Sequence, residues 1–205
     1  MMRLPLILFL LAAVIPVFFG KIRSAPFWLC LQAIAIGWNG VAHSEGLSIH
    51  ALVALLDVIV VRALIAPLLL RRAIHLRGDA NLDLMPSNLF TWVIGIALIV
   101  LAFDFGGAAM ADVQALALGV VGAMVAIALL LLSTNNSPPA QLVAVLFMEN
   151  AIAVFESLLP EPWPLPVHGA LTAVYLLTVG VGGWLVGTPA AADKASAAPS
   201  QGETP

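Results

Sequence analysis

Long apolar runs separated by short polar segments fill most of the chain. Each run is about 20 residues long, which is enough for a helix to cross a hydrocarbon core of about 30 Å. The pattern predicts seven spans, at residues 4–20, 26–43, 47–70, 88–106, 110–133, 139–159 and 166–187. The expected fold is therefore all-α, a polytopic transmembrane helix bundle that fills residues 1–187.

The composition excludes a water-soluble globular domain. Of the 205 residues, 62% are hydrophobic and 9% are charged, and the mean hydropathy is +1.08. Polar side chains are too few to cover the surface of a folded domain in water. A lipid bilayer is therefore the expected surrounding of the chain.

The first apolar run has one feature of a secretory leader, because Arg3 precedes it. However, no small-x-small cleavage site ends the run, and Lys21 and Arg23 follow it. We expect this segment to be retained as a membrane anchor.

Basic residues predict the orientation of the bundle. They are Lys21 and Arg23 after span 1, Arg71, Arg72 and Arg77 after span 3, and Lys194 in the tail. With seven spans, all of them fall on one side, and the positive-inside rule makes that side cytoplasmic. The N-terminus is then outside and the C-terminus inside. The opposite loops carry Glu45, Asp112 and Glu161, and Arg3 is the exception.

The connections predict local features. RRAIHLRGDANLDLMPS, after span 3, is expected to be a solvated loop or a docking surface for a cytoplasmic partner, and Ser87 or Asn88 can cap the following helix. In the Pro-rich link LLPEPWPLPV, Trp163 is expected to lie at the membrane interface. The tail, residues 188–205, is rich in Ala, Pro and Ser and is expected to be disordered in the cytoplasm.

The sequence offers no catalytic, cofactor or metal site of its own. The single cysteine, Cys30, falls inside span 2 and is best explained as a small buried hydrophobic residue. CxxC pairs, HExxH and phosphate-binding glycine loops are absent from the sequence. We therefore expect a chain that is not an enzyme by itself, with no cofactor, nucleic-acid partner or small-molecule substrate.

Charged residues within the spans are the most informative positions. A charge at the middle of a transmembrane helix costs about 2.5 to 3.5 kcal/mol, so it normally faces protein, water or an opposite charge. Three such residues stand out, Asp57, Arg62 and Glu149. Asp104 and Asp112 lie at the outer ends of spans 4 and 5 and are expected to be topological.

Glu149 lies near the membrane midplane in span 6. Glu156 returns to nearly the same face after about 700° of helical rotation and lies about 10 Å nearer the outer surface. A proton relay and a neutral acid that holds helices together are both consistent with Glu149. A relay between the two acids would need water or another side chain. Asn150 is expected to supply a hydrogen bond within the bundle.

Asp57 and Arg62 are five residues apart in span 3, which places them about 140° apart around an α-helix. They are therefore not expected to pair within that helix. Each is expected to seek another helix, water or another subunit. Arg62 can serve Asp57 or Glu149 from an adjacent span, or instead extend toward the cytoplasmic headgroups. Pro67 is expected to kink the end of the span.

Polar residues also occur in span 7. His168 is expected at the depth of Glu156, where the two form either an outer proton exit or an interfacial hydrogen bond. Thr172, Tyr175 and Thr178 fall near one face of the helix, where they are expected to hydrogen-bond to neighbouring helices.

Two short stretches carry a resemblance to a known family. They are VVRALIAPLLLRRAI, with Arg62 five positions before Pro67, and the MEN sequence of Met148, Glu149 and Asn150. With these stretches, the whole chain resembles component E of hydrogenase-4 and of related formate hydrogenlyase complexes. Residues 110–187 are also similar to subunit K of bacterial complex I, a three-span protein with an acid in its middle helix.

The resemblance implies a subunit of the membrane arm of a respiratory-type oxidoreductase complex in the bacterial inner membrane. Its partners would be antiporter-like and other membrane subunits, and Glu149 would take part in proton translocation. These families have a second acid in the last helix where this chain has Thr172, so Glu156 or Asp57 would have to replace it. Two other functions remain open: a purely structural assembly subunit, and a component of a cation/proton antiporter-like complex.

Overall fold

The computed structural model describes residues 3–43, 49–77, 81–86, 88–110, 112–156, 159 and 163–188. These residues form seven long helices, a short 3₁₀ helix (Ile22–Ser24) between the first two, and no extended strand. The long helices are α1 (Arg3–Phe19), α2 (Ala25–His43), α3 (Ile49–Arg77), α4 (Leu89–Ala109), α5 (Asp112–Thr134), α6 (Pro138–Glu156) and α7 (Leu165–Gly187). Six helical stretches are long and apolar enough to cross a membrane, and α1 is a shorter apolar helix. The predicted all-α transmembrane bundle is confirmed.

The third helix differs from its predicted bounds. It continues beyond residue 70 to Arg77, so Arg71, Arg72 and Arg77 belong to the helix and not to a loop. The sequence retains an apolar face here, because Ala73 and Ile74 are buried. The basic residues of the last turn also suit the negative end of the helix dipole.

The connection after α3 is packed against the bundle over residues 81–86. Its backbone pairs with the link between α1 and α2, since Ile22 N donates to Leu82 O at 2.9 Å and Leu84 N donates to Gly20 O at 3.1 Å. The side-chain amide of Asn135, after α5, donates to Leu84 O at 2.7 Å. These contacts bring three connections to one end of the bundle, as alternating spans require.

Within this connection, Leu84 and Met85 are buried, whereas Asn81, Leu82 and Asp83 are exposed. The docking role of the connection stays a prediction. The predicted cap at Asn88 is confirmed, because its side-chain oxygen accepts a hydrogen bond from Thr91 N at 2.7 Å. The alternative cap Ser87, the loop residues Glu45 and Glu161, and the tail from residue 189 with Lys194 lie outside the described residues.

The centre of the bundle is α6, and α4 lies at its edge. On α6, ten residues are buried, including Phe147, Leu146 and Asn150. On α4, only Thr91, Gly95 and Gly106 are buried. The polar residues of α6 therefore lie where several helices meet.

Small residues allow α4 and α5 to approach closely. A Cβ atom added to Gly106 would lie 2.7 Å from the carbonyl oxygen of Ala115 and 2.8 Å from the backbone nitrogen of Gly119. Such backbone contacts leave no room for a side chain, and close approach between small residues is a common way to hold membrane helices together.

Replacing Gly106 by Ala is expected to destabilise the bundle by about 1 to 3 kcal/mol through overpacking against this backbone. The thermal unfolding midpoint of the purified protein in detergent measures the effect. Gly107→Ala is the matched control, because a Cβ atom at that position meets nothing within 4 Å. Equal unfolding midpoints for the two variants would contradict the close packing at Gly106.

Candidate functional site

The middle of α3 is a π-helix. The segment Asp57–Ile65 has π-helical hydrogen bonding, and at its end the Ala66 N–H bonds to Val61 O, five residues back. Pro67 follows immediately; it has no N–H, and in an α-helix its ring would collide with the carbonyl of Ala63. Because a π-helix bonds residue i to residue i+5, side chains five residues apart lie on the same face.

This geometry brings Asp57 and Arg62 together. Arg62 Nε donates to Asp57 Oδ2 at 2.8 Å, and both side chains are buried. The prediction that the two residues do not pair within their helix was wrong, because it assumed the rotation of an α-helix. The alternative in which Arg62 extends to the headgroups was also wrong, since only 5% of the residue is exposed.

The rest of the Arg62 guanidinium contacts α6 and α7. Its Nη1 donates to the side-chain oxygen of Asn150 at 2.8 Å and to the backbone oxygen of Glu149 at 3.3 Å. The guanidinium carbon lies 4.4 Å from the centre of the Tyr175 ring, in cation–π geometry. Asn150 in turn donates to Gln32 of α2 at 2.9 Å.

We call these five residues, Gln32, Asp57, Arg62, Asn150 and Tyr175, the buried network. It joins α2, α3 and α6 through charge-assisted and neutral hydrogen bonds, and α7 through the cation–π contact of Tyr175. Buried charges are tolerated when they are paired and hydrogen-bonded, which is the case for Arg62 here.

Glu149 lies beside the buried network. Its carboxylate oxygen Oε1 accepts a hydrogen bond from Thr178 Oγ of α7 at 2.8 Å, and its side chain is half-buried. Arg62 bonds the backbone carbonyl of Glu149, while the Arg62 side chain pairs with the carboxylate of Asp57. The Glu149 carboxylate is thus held close to a positive charge that another acid already balances.

Glu156 and His168 meet at the other end of α6 and α7. His168 Nδ1 lies 3.3 Å from Glu156 Oε2, and both side chains are largely shielded from solvent. Thr172 Oγ donates to the backbone oxygen of His168 at 3.1 Å. The structure therefore brings together the two residues that the sequence predicts at one depth. Their contact is consistent with both alternatives, an outer proton exit and an interfacial hydrogen bond.

A cavity of about 110 Å³ connects the two acidic positions. Arg62, Glu149, Glu156, His168 and Trp163 line it, and its walls are completed by Ile152, Ala153, Leu171, Thr172 and Val174. The two acids are expected to lie about 10 Å apart along the helix, and the cavity fills part of this distance. Trp163, expected only as an interface anchor, lines this space.

Sequence reasoning missed Gln32, which is fully buried. Its signal was an amide in the apolar stretch FWLCLQAIAIGW, where a buried polar group needs a partner. Asp104 is exposed on α4, apart from the network, and the side chain of Asp112 lies outside the described part of the chain. In the described residues, no group of three or more His, Cys, Asp or Glu side chains is placed to hold a metal ion.

No protein-family model, curated protein or solved structure matches this chain.

The buried pair provides a test of the network. Asp57→Asn is expected to destabilise the protein by about 3 kcal/mol, because it leaves the buried Arg62 charge unpaired, and Arg62→Met should act similarly on Asp57. In the double variant neither charge remains, so its loss should be smaller than the sum of the single losses. Unfolding in detergent measures all three.

Arg71→Met is the matched control, since Arg71 lies on the same helix but is exposed. It should change stability by less than about 0.5 kcal/mol. Additive losses for Asp57→Asn and Arg62→Met would show that the two charges are not coupled.

Proposed function

We propose that this multi-pass membrane protein is a non-catalytic subunit of the membrane arm of a respiratory-type complex, either an energy-converting hydrogenase or a complex I-like assembly. Its role there is to help move protons through Glu149. Antiporter-like membrane subunits are its partners, and the bacterial inner membrane is its location. The family to which we assign it is that of component E of hydrogenase-4.

The observation that carries the proposal is the position of Glu149 between the buried network and the cavity. An acid that moves protons needs a nearby positive charge that favours its ionised form and a polar route by which protons arrive and leave. Arg62 provides the charge, and the cavity leads from Glu149 to a second acid and a histidine. An acid that only joined helices would need neither.

The two stretches behind the family resemblance also meet in the structure. Arg62 comes from the span 3 stretch and Glu149 and Asn150 from the MEN sequence, 87 and 88 residues away in the chain. They are joined by hydrogen bonds of 3.3 and 2.8 Å. Through this contact the two motifs together hold the Arg62 cation beside Glu149.

The division of roles follows from the contacts. Asp57 balances the charge of Arg62, so that the guanidinium stays in the interior; Asn150 and Tyr175 fix its position. Thr178 holds one carboxylate oxygen of Glu149. Glu149 can then gain or lose a proton without leaving an unbalanced Arg62 in the bundle.

One observation favours a second function, a purely structural assembly subunit. The contacts of the buried network join four helices of the chain. Polar groups often join membrane helices in this way. On this view, Glu149 with Thr178 is one more such bond between α6 and α7.

Glu149→Gln separates the two functions. The amide keeps the size of the side chain and can still accept from Thr178, but it does not exchange a proton, so coupled proton translocation should fall by about tenfold or more, equivalent to about 1.4 kcal/mol of added barrier. The complex is purified in mild detergent, its subunits are identified, and proton uptake per electron transferred is measured in vesicles with a pH-sensitive dye.

Asp104→Asn is the control, because it removes an exposed carboxylate that is apart from the site. It should leave translocation unchanged, and Glu149→Asp should restore part of the activity lost in Glu149→Gln. Full translocation by a correctly assembled Glu149→Gln complex would refute the proton role and support the structural one.

A further inference from the structure

Two polar atoms in the walls of the cavity have no hydrogen-bond partner among the described residues. They are Glu149 Oε2 and His168 Nε2, and both are buried. Buried polar atoms are normally satisfied by protein or by ordered water, and leaving one unsatisfied is costly. Both residues line the same cavity, so one set of water molecules there can satisfy both.

The cavity has room for such water. A polar cavity accommodates one water molecule from about 10 to 15 Å³ upward. The volume here is about 110 Å³. Glu156 and Thr172 add further oxygen atoms to the walls, so that water molecules within it can find the two to four polar partners that they need.

The hydrogen bond between Glu156 and His168 indicates which ring nitrogen of His168 carries the proton. When Glu156 is a carboxylate it only accepts hydrogen bonds, and Nδ1, at 3.3 Å from Glu156 Oε2, is then the nitrogen that carries the proton. Nε2 then has a free lone pair and can accept a proton or a hydrogen bond from water.

We propose that the cavity between α6 and α7 is a water-filled vestibule through which protons pass between Glu149 and the Glu156–His168 pair. The proton path rests on the proposed function of Glu149, whereas the presence of water in the cavity is argued from the geometry alone. By the predicted orientation, the vestibule leads to the outer side of the membrane.

The transfer is balanced along this path. The proton on Glu149 Oε2 moves to a water oxygen, passes along hydrogen bonds between water molecules, and is taken up by the lone pair of His168 Nε2. Glu149 becomes a carboxylate next to Arg62, and His168 becomes an imidazolium next to the Glu156 carboxylate. Each new charge forms next to an opposite charge, and release of the Nε2 proton to outer water restores neutral His168.

Cysteine accessibility in native membranes tests the vestibule. Thr172→Cys and Ala153→Cys line the cavity and are placed singly in a Cys30→Ala background, and each is treated with a membrane-impermeant, trimethylammonium-bearing methanethiosulfonate. Both are expected to react about tenfold or more faster than the thiols of the two control variants, Ala151→Cys and Val181→Cys. Only the thiolate is nucleophilic, and it forms only in contact with water.

Two matched controls define the background rate. Ala151→Cys places the thiol on α6 at a fully buried position, and Val181→Cys places it on an exposed apolar part of α7 away from the cavity. Both should react slowly. Reaction of Thr172→Cys and Ala153→Cys at these background rates would overturn the vestibule.

The side of access is decided by comparing spheroplasts with inverted vesicles. Faster labelling in spheroplasts is expected, and labelling confined to inverted vesicles would overturn the outward direction. The outcome is independent of the Glu149→Gln experiment. Rapid labelling together with normal translocation by Glu149→Gln would retain the vestibule and refute the proposed function, whereas slow labelling with lost translocation would do the reverse.

Discussion

The buried guanidinium of Arg62 constrains the positions of all the helices around it. A charge in the apolar interior is costly, and this one is tolerated because Asp57 pairs with it and Asn150 and Tyr175 surround it. These partners come from three helices, so the helices must keep their relative positions for the charge to stay satisfied. Gln32 extends the constraint to α2. The contacts of this one charge therefore favour a single arrangement of the four helices at the centre of the bundle.

The spans were predictable from the sequence because hydropathy acts locally. A run of about 20 apolar residues has few alternatives to a membrane helix, since a helix satisfies its own backbone hydrogen bonds in lipid. Asn88 was predictable for a similar reason, as a cap acts within one turn of its own residue. The end of α3 was less predictable, because Arg71 and Arg72 are polar and were expected to lie in a loop. They continue the helix, whose opposite face is buried at Ala73 and Ile74.

The pairing in the site was not predictable in the same way. The distance between Asp57 and Arg62 depends on the π-helical turn, and Pro67 was the only indication that the regular hydrogen bonding changes nearby. The role of Gln32 depends on which helix α2 meets, which hydropathy does not encode. By contrast, the match between Glu156 and His168 followed from depth alone, because α6 and α7 are consecutive antiparallel helices and residues near their shared connection lie side by side.

The contacts divide the polar residues into two groups with different consequences. Arg62 and Asn150 each make two or more hydrogen bonds, and Asp57 forms the ion pair with Arg62, so neutralising either member of that pair would disturb helix packing. Glu149 is held at one oxygen by a neutral hydroxyl, and its other oxygen has no partner among the described residues. Protonation of Glu149 therefore breaks no ion pair of the buried network. A fixed charge beside a loosely held acid is an arrangement in which a proton can come and go while the helices stay in place.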